Sequence, residues 1–78
     1  MSEITSEEIA SNYAAMLIVA NRINKIVAGT KMADSTAEER EESIDACAGH
    51  LKLMVAKGYW TSEDMAPISA AIAAGEAA

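Results

Sequence analysis

Aromatic side chains are scarce in this sequence: phenylalanine is absent, and one tryptophan and two tyrosines supply the entire aromatic content of 4%. Hydrophobic residues still make up 51% of the 78 residues, because alanine is abundant. The core must therefore be built from isoleucine, leucine, valine and methionine, and we expect it to be thin. Because a chain of this length is marginally stable alone, we predict one domain, residues 1–78, completed by self-association or by a partner protein.

Basic residues, cysteine and long apolar runs are also few. Six Lys and Arg against twelve Asp and Glu give a net charge of −6, which disfavours binding to nucleic-acid phosphates. The one cysteine excludes an intramolecular disulfide and fits a reducing cytosol. The longest apolar run, residues 13–20, is far too short to span a membrane, and residues 1–12 hold three acids and no basic leader region. We therefore expect an intracellular protein with neither a nucleic-acid nor a membrane partner.

The clearest boundary signals lie in residues 57–65. Gly58 follows Lys57 at the end of an apolar-periodic run, which is typical of a helix C-terminus. Thr61 is placed to cap a new helix with Asp64 at its N3 position, between the staple residues Trp60 and Met65. The same pattern recurs near the start of the chain, where Thr5 and Glu8 form a predicted capping box between the staple residues Ile4 and Ile9. We interpret Trp60, just before the cap, as an anchor in the core.

Hydrophobic periodicity predicts an all-α fold of three helices. The first runs from about 6 to 28 and ends at Gly29, with Ile9, Tyr13, Met16, Ala20, Ile23 and Val27 as its main stripe. Val19 and Ile26 widen this stripe on one side and Leu17 widens it on the other, while Ile18 lies on the opposite side of the helix. This helix therefore has more apolar surface than one neighbour can cover.

The second helix is predicted from about 36 to 57, with Ser35 as its cap and Glu38 at N3. Its main face holds Ile44, Cys47, Ala48, Leu51, Met54 and Val55, and a second stripe holds Ala46, Gly49, Leu53 and Ala56. We interpret it as the central helix, because small residues on the second stripe suit close approach of another helix. The short connection 29–35 makes the first two helices an antiparallel hairpin.

The third helix is predicted from about 62 to 74, ending at Gly75, with Met65, Ile68 and Ile72 as its stripe. Because Pro67 removes a backbone hydrogen bond beyond the first turn, we expect a kink or a broken first turn there. In the hairpin, Arg22, Lys25 and Lys31 should lie beside the acids of 38–45, which favours the antiparallel topology.

Three sequence patterns could carry a chemical or binding function. Cys47 and His50 are spaced to share a metal, but they supply only half a tetrahedral site, and no third group orients them as a nucleophile and base. We therefore predict no metal, no cofactor and no catalysis. The segment 44–74 is laid out as a helix–turn–helix, but its second helix has no Lys, Arg, Asn or Gln to read bases. An acidic run, Glu38, Glu39, Glu41 and Glu42, is either a solvated helix start or a face that mimics nucleic-acid phosphates on a basic partner.

Several short segments carry a family resemblance over about residues 48–75: His50-Leu51, Met54, Trp60-Thr61, Glu63-Asp64-Met65 and Ala70-Ala71-Ile72-Ala73-Ala74-Gly75. This part of the chain resembles the C-terminal part of small, uncharacterised proteins of tailed bacteriophages. The resemblance implies a phage or prophage protein, in the virion or the host cytoplasm, and it implies no active residue.

Two functions are consistent with these patterns. The first is a non-enzymatic interaction protein, a structural or accessory component of a phage particle that self-associates or docks, forming a homo-oligomer or part of a larger assembly. Its candidate interaction residues are Ile18, Val19, Ile26, Leu53 and Trp60. The alternative is a small acidic effector that binds a host protein through the face of Glu38, Glu39, Glu41 and Glu42.

Overall fold

A computed structural model describes residues 4–78 and confirms an all-α fold of three helices. Helix α1 spans Ser6–Ala28, α2 spans Ala37–Val55 and α3 spans Ser62–Ala77. Every pair of helices is in contact, and they run up, down and up, so that α1 and α3 are parallel. Glu3, one of the acids counted against a leader region, lies outside the described residues.

The boundaries of α1 are those that the sequence predicts. The Thr5 hydroxyl accepts a hydrogen bond of 3.1 Å from the Glu8 backbone N–H, which is one of the two bonds of the predicted box. At the other end Gly29 has φ 81°, and the N–H groups of Thr30 and Lys31 donate to the Lys25 carbonyl. Glycine adopts this left-handed conformation without the steric cost of a Cβ, so α1 ends there.

Helix α2 begins one residue later than predicted. Its cap is Thr36 rather than Ser35, and its N3 residue is Glu39 rather than Glu38. Ser35 and Thr36 are both followed by Glu three residues later, so the sequence allows two registers. In the structure Thr36 and Glu39 exchange both capping-box bonds at 3.1 Å, while the Ser35 carbonyl accepts a hydrogen bond from Arg40.

The end of α2 is earlier than the predicted residue 57. The regular helix stops at Val55, and two turn bonds follow, from Lys57 N–H to the Met54 carbonyl and from Gly58 N–H to the Val55 carbonyl. Gly58 takes φ 83°, which is the left-handed conformation expected of it. The backbone therefore changes from a regular α-helix to tighter turns before it reaches Gly58.

Helix α3 starts as predicted, with Thr61 and Asp64 forming a complete capping box. Its first turn is not broken, because a single helix runs through Pro67 and leaves a kink there as the alternative. Beyond its predicted end, α3 continues past Gly75 to Ala77. Pro67 and Glu63 are exposed, so water can satisfy the Glu63 carbonyl that proline leaves without a donor.

Gly75 lies inside α3 and is buried against Ile23 of α1 and Ile44 of α2. The absence of a side chain lets the last turns of α3 approach both other helices. Gly75 thus allows close packing of the helices, whereas the sequence pattern predicted that it would end α3.

The core is small and draws on all three helices. Its fully buried large side chains are Met16, Ile23, Leu51 and Ile68. We predicted α2 as the central helix, but α1 makes the most extensive contacts with its neighbours. The reason is that α1 is the longest helix and its wide apolar stripe packs against α2 and α3 together.

Trp60 packs against the core, as expected of an anchor. Its indole Nε1 donates a 2.8 Å hydrogen bond to the Met54 carbonyl at the end of α2. The ring centroids of Tyr59 and Tyr13 lie 4.5 and 6.0 Å from that of Trp60, and the Tyr13 hydroxyl donates to the Asp64 carbonyl at 2.9 Å. Trp60 therefore ties the end of α2 to α1 and to the start of α3.

The Trp60→Phe variant should lose at least about 1 kcal/mol of unfolding free energy, because an aromatic ring remains but the bond to Met54 and part of the packed indole are lost. A loss of that size should lower the Tm by about 4–8 °C in a domain of this length. Circular dichroism is the appropriate measurement, since the variant has no tryptophan fluorescence. An unchanged Tm would contradict the role of Trp60 as an anchor.

Candidate interaction surface

The predicted interaction residues divide into exposed, half-buried and buried positions. Ile18 and Leu53 are 71% and 72% exposed, which is unusual for large aliphatic side chains. Val19 and Trp60 are half-buried and pack against the core. Ile26 is 3% exposed and belongs to the core, so its assignment as an interaction residue is wrong.

Ile26 and Val27 exchange the roles that the sequence pattern gave them. Val27 was placed on the main stripe, yet it is 42% exposed, while Ile26 is buried. The two residues are neighbours on a helix whose stripe is wide, and the position of α2 decides which of them it covers. Periodicity alone does not contain that information.

A shallow groove of about 310 Å³ lies between α1 and α2. It is lined by Val19, Arg22, Ser43, Ala46, Cys47 and His50. None of these residues belongs to α3, so the groove opens on the side of the hairpin that α3 leaves uncovered. The lining residues recur at spacings of three and four, which is the sequence signal of a helix surface.

Ile18 and Leu53 lie on this same side. Ile18 is one position from Val19 in the groove, and it lies about 200° around α1 from the buried Met16. Leu53 lies about 200° around α2 from the buried Leu51. Ile18 and Leu53 therefore both point away from the core, and each lies next to the groove between α1 and α2.

Small side chains lie one turn before Ile18, at Ala14 and Ala15, and one turn before Leu53, at Gly49, whereas Asn21, Arg22, His50 and Lys57 lie at other adjacent-turn positions. We use the name hairpin face for this surface of α1 and α2, which is formed by Ala14, Ala15, Ile18, Val19, Ala46, Gly49 and Leu53. All of them are exposed except Val19, which is half-buried, and none of them is charged. The hairpin face is thus an apolar surface with two protruding side chains.

Charged residues flank the hairpin face near the α1–α2 connection, where Arg22 and Lys25 lie on α1 and Glu39 and Glu42 lie on α2. All four are exposed, and within residues 4–78 they form no salt bridge with one another. The ion pairs expected across the hairpin are therefore not formed in this chain. The described residues instead contain a 2.7 Å bridge between Lys52 and Glu76, two exposed side chains that join α2 to α3.

The four acids of the alternative face are exposed at the start of α2. The pKa of Glu39 is lowered, first by the hydrogen bond from the Thr36 backbone N–H, then by the Thr36 hydroxyl and by the charge of Arg40. This carboxylate therefore serves as a cap as well as a surface charge. Arg40 and Glu41 line a second cavity of about 310 Å³ beside Gly75.

Cys47 and His50 both line the groove, where Cys47 is half-buried and His50 is exposed. Over residues 4–78, no three His, Cys, Asp and Glu side chains converge as a metal site would require. No helix in that part of the chain is long and apolar enough to cross a membrane. Comparison with protein-family models, with curated proteins and with solved structures finds no match to this chain.

Proposed function

We propose that this chain is a non-enzymatic interaction protein, a small structural or accessory component of a phage particle that acts by self-association or docking. The observation that carries the interaction role is the exposure of Ile18 and Leu53, above 70% each, beside the groove between α1 and α2. Exposed apolar surface of this kind is available to a protein partner, and contiguous apolar patches on soluble proteins mark interaction sites. The phage assignment depends on the resemblance over residues 48–75.

The hairpin face suits a helical partner surface. Alanine and glycine allow a second helix to approach closely, while Ile18 and Leu53 supply apolar area to bury. A protein of this kind would function in the virion or in the host cytoplasm, and it would need no cofactor.

The Ile18→Glu and Leu53→Glu variants should lose association while keeping the helical content of the parent chain. A carboxylate on this face would have to lose its water on binding, which is costly, whereas it stays hydrated in the free protein. Light scattering behind size exclusion measures self-association, and capture of assembly partners is compared between the parent and the variants. If neither substitution reduces any association, the proposed function is wrong.

The acidic face provides a second candidate, favoured by the exposure of all four carboxylates over neighbouring turns. An effector that binds a basic host surface would lose binding when Glu38, Glu39, Glu41 and Glu42 are reversed to lysine. Reversal of Glu38 and Glu41 alone, which do not flank the hairpin face, should weaken effector binding but leave binding through the hairpin face unchanged. The two sets of variants therefore separate the two functions.

A further inference from the structure

We infer that the partner on the hairpin face is a second copy of this chain, related by a two-fold axis parallel to the helices. This arrangement places α1 of one copy against α2 of the other. It names the occupant of the face described above, so it depends on the proposed function. Two kinds of complementarity within the face support it, one of size and one of charge.

The levels of residues along the hairpin follow from the packing around Gly75. The Cγ2 methyls of Ile23 and Ile44 both lie within 3.0 Å of the Cβ position at Gly75, so the two residues are at about the same height on the antiparallel helices. The groove residues agree, since Val19 and Arg22 lie beside Cys47 and Ala46. Counting from these points, Ile18 is level with Gly49, and Leu53 is level with Ala14.

The proposed rotation preserves height and brings each large side chain opposite a small one. Ile18 of one copy meets Gly49 of the second, and Leu53 meets Ala14. Apart from its chain neighbours and the nearby backbone of α2, no atom of the described residues lies within 4 Å of the Cβ position at Gly49, so there is room for an incoming side chain. Protruding side chains thus enter recesses formed by small residues, the arrangement that dense helix packing requires.

Charge complementarity points to the same axis. The rotation sets Lys25 of one copy level with Glu42 of the second, and Arg22 and Glu39 lie within about one turn of this height. Two bases therefore meet two acids that form no salt bridge within residues 4–78, although the Glu39 carboxylate also accepts the Thr36 N–H.

The surface pairs also explain how an acidic chain can bind itself. Two copies that each carry −6 repel at long range, but this repulsion is screened beyond roughly 8 Å at physiological salt. The face itself is neutral at its centre and has both signs at its margin. We expect a dimer that weakens when added salt screens these short-range pairs.

A charge exchange between two variants tests the arrangement. Lys25→Glu and Glu42→Lys should each weaken self-association by about 10-fold or more, because each creates two repulsive pairs in a two-fold dimer. A 1:1 mixture should restore association to the parent level, since both cross-pairs are then attractive. Sedimentation equilibrium over a range of concentrations measures the dissociation constants.

Two matched controls exclude a general charge effect. Glu41→Lys changes net charge as Glu42→Lys does, but Glu41 lines the cavity beside Gly75 and should leave association unchanged. Lys31→Glu is the control for Lys25→Glu, since Lys31 lies in the connection. Circular dichroism establishes that each variant is folded, and all four positions are exposed.

The outcomes separate this inference from the proposed function. A mixture that stays as weak as its components would overturn the proposed axis. A parent chain that remains monomeric to about 1 mM, the weakest range of specific affinity, would overturn the second copy as partner. If such a monomer still captures another protein in a Leu53-dependent way, the proposed function stands and only the inference fails.

Discussion

Leu51→Ala should lose about 3 kcal/mol of unfolding free energy, or more, because Leu51 is fully buried where α2 meets the core. The transfer free energy of the removed methyl groups is lost. The cavity adds a further cost where the neighbouring side chains cannot move in to fill it. A chain of this length has on the order of 4–12 kcal/mol of total stability, so the loss is a large fraction. Urea unfolding followed by circular dichroism measures it.

The matched control is Leu53→Ala, two residues along the same helix. Leu53 is 72% exposed, so its truncation should change unfolding free energy by no more than about 0.5 kcal/mol. Both variants are compared at a protein concentration low enough that association adds no stability. Equal losses from the two substitutions would contradict the burial pattern of α2.

Gly75→Ala should destabilise the protein, although alanine is the better helix former. A Cβ at Gly75 would lie 2.7 Å from Cγ2 of Ile44 and 3.0 Å from Cγ2 of Ile23. These methyls belong to β-branched side chains whose rotamers are fixed in a helix, so they cannot swing aside. Overpacking costs about 1–3 kcal/mol of unfolding free energy, whereas the higher helix propensity of alanine restores at most about 1 kcal/mol. We expect a net loss of about 1 kcal/mol.

Gly49→Ala is the control, and it should have the opposite sign. Gly49 lies within α2 on the exposed side, and nothing stands within 4 Å of its Cβ position. The same substitution should therefore stabilise the monomer by up to about 1 kcal/mol through helix propensity alone. Thermal unfolding of both variants at low concentration tests the pair. Stabilisation by Gly75→Ala would mean that the three helices do not converge at that residue.

Local chemistry determined three of the six helix ends from the sequence alone: both ends of α1 and the start of α3. The caps Thr5 and Thr61 and the left-handed Gly29 and Gly58 are short-range features, because each depends on bonds within a few residues of the chain. Where two local solutions were available, as at Ser35 and Thr36, the sequence did not decide between them. The exposure of Ile18 and Leu53 was also predictable, since both lie far around the helix from the main stripe.

The sequence by itself therefore determined three helices, the caps Thr5 and Thr61 and the apolar positions left over on α1 and α2. Only the tertiary structure decided that Ile26 is buried and Val27 exposed, that α1 is the central helix and that Gly75 lies inside α3. The physical reason is range: a cap is satisfied by its own turn, whereas burial and close approach depend on where residues from distant parts of the chain pack.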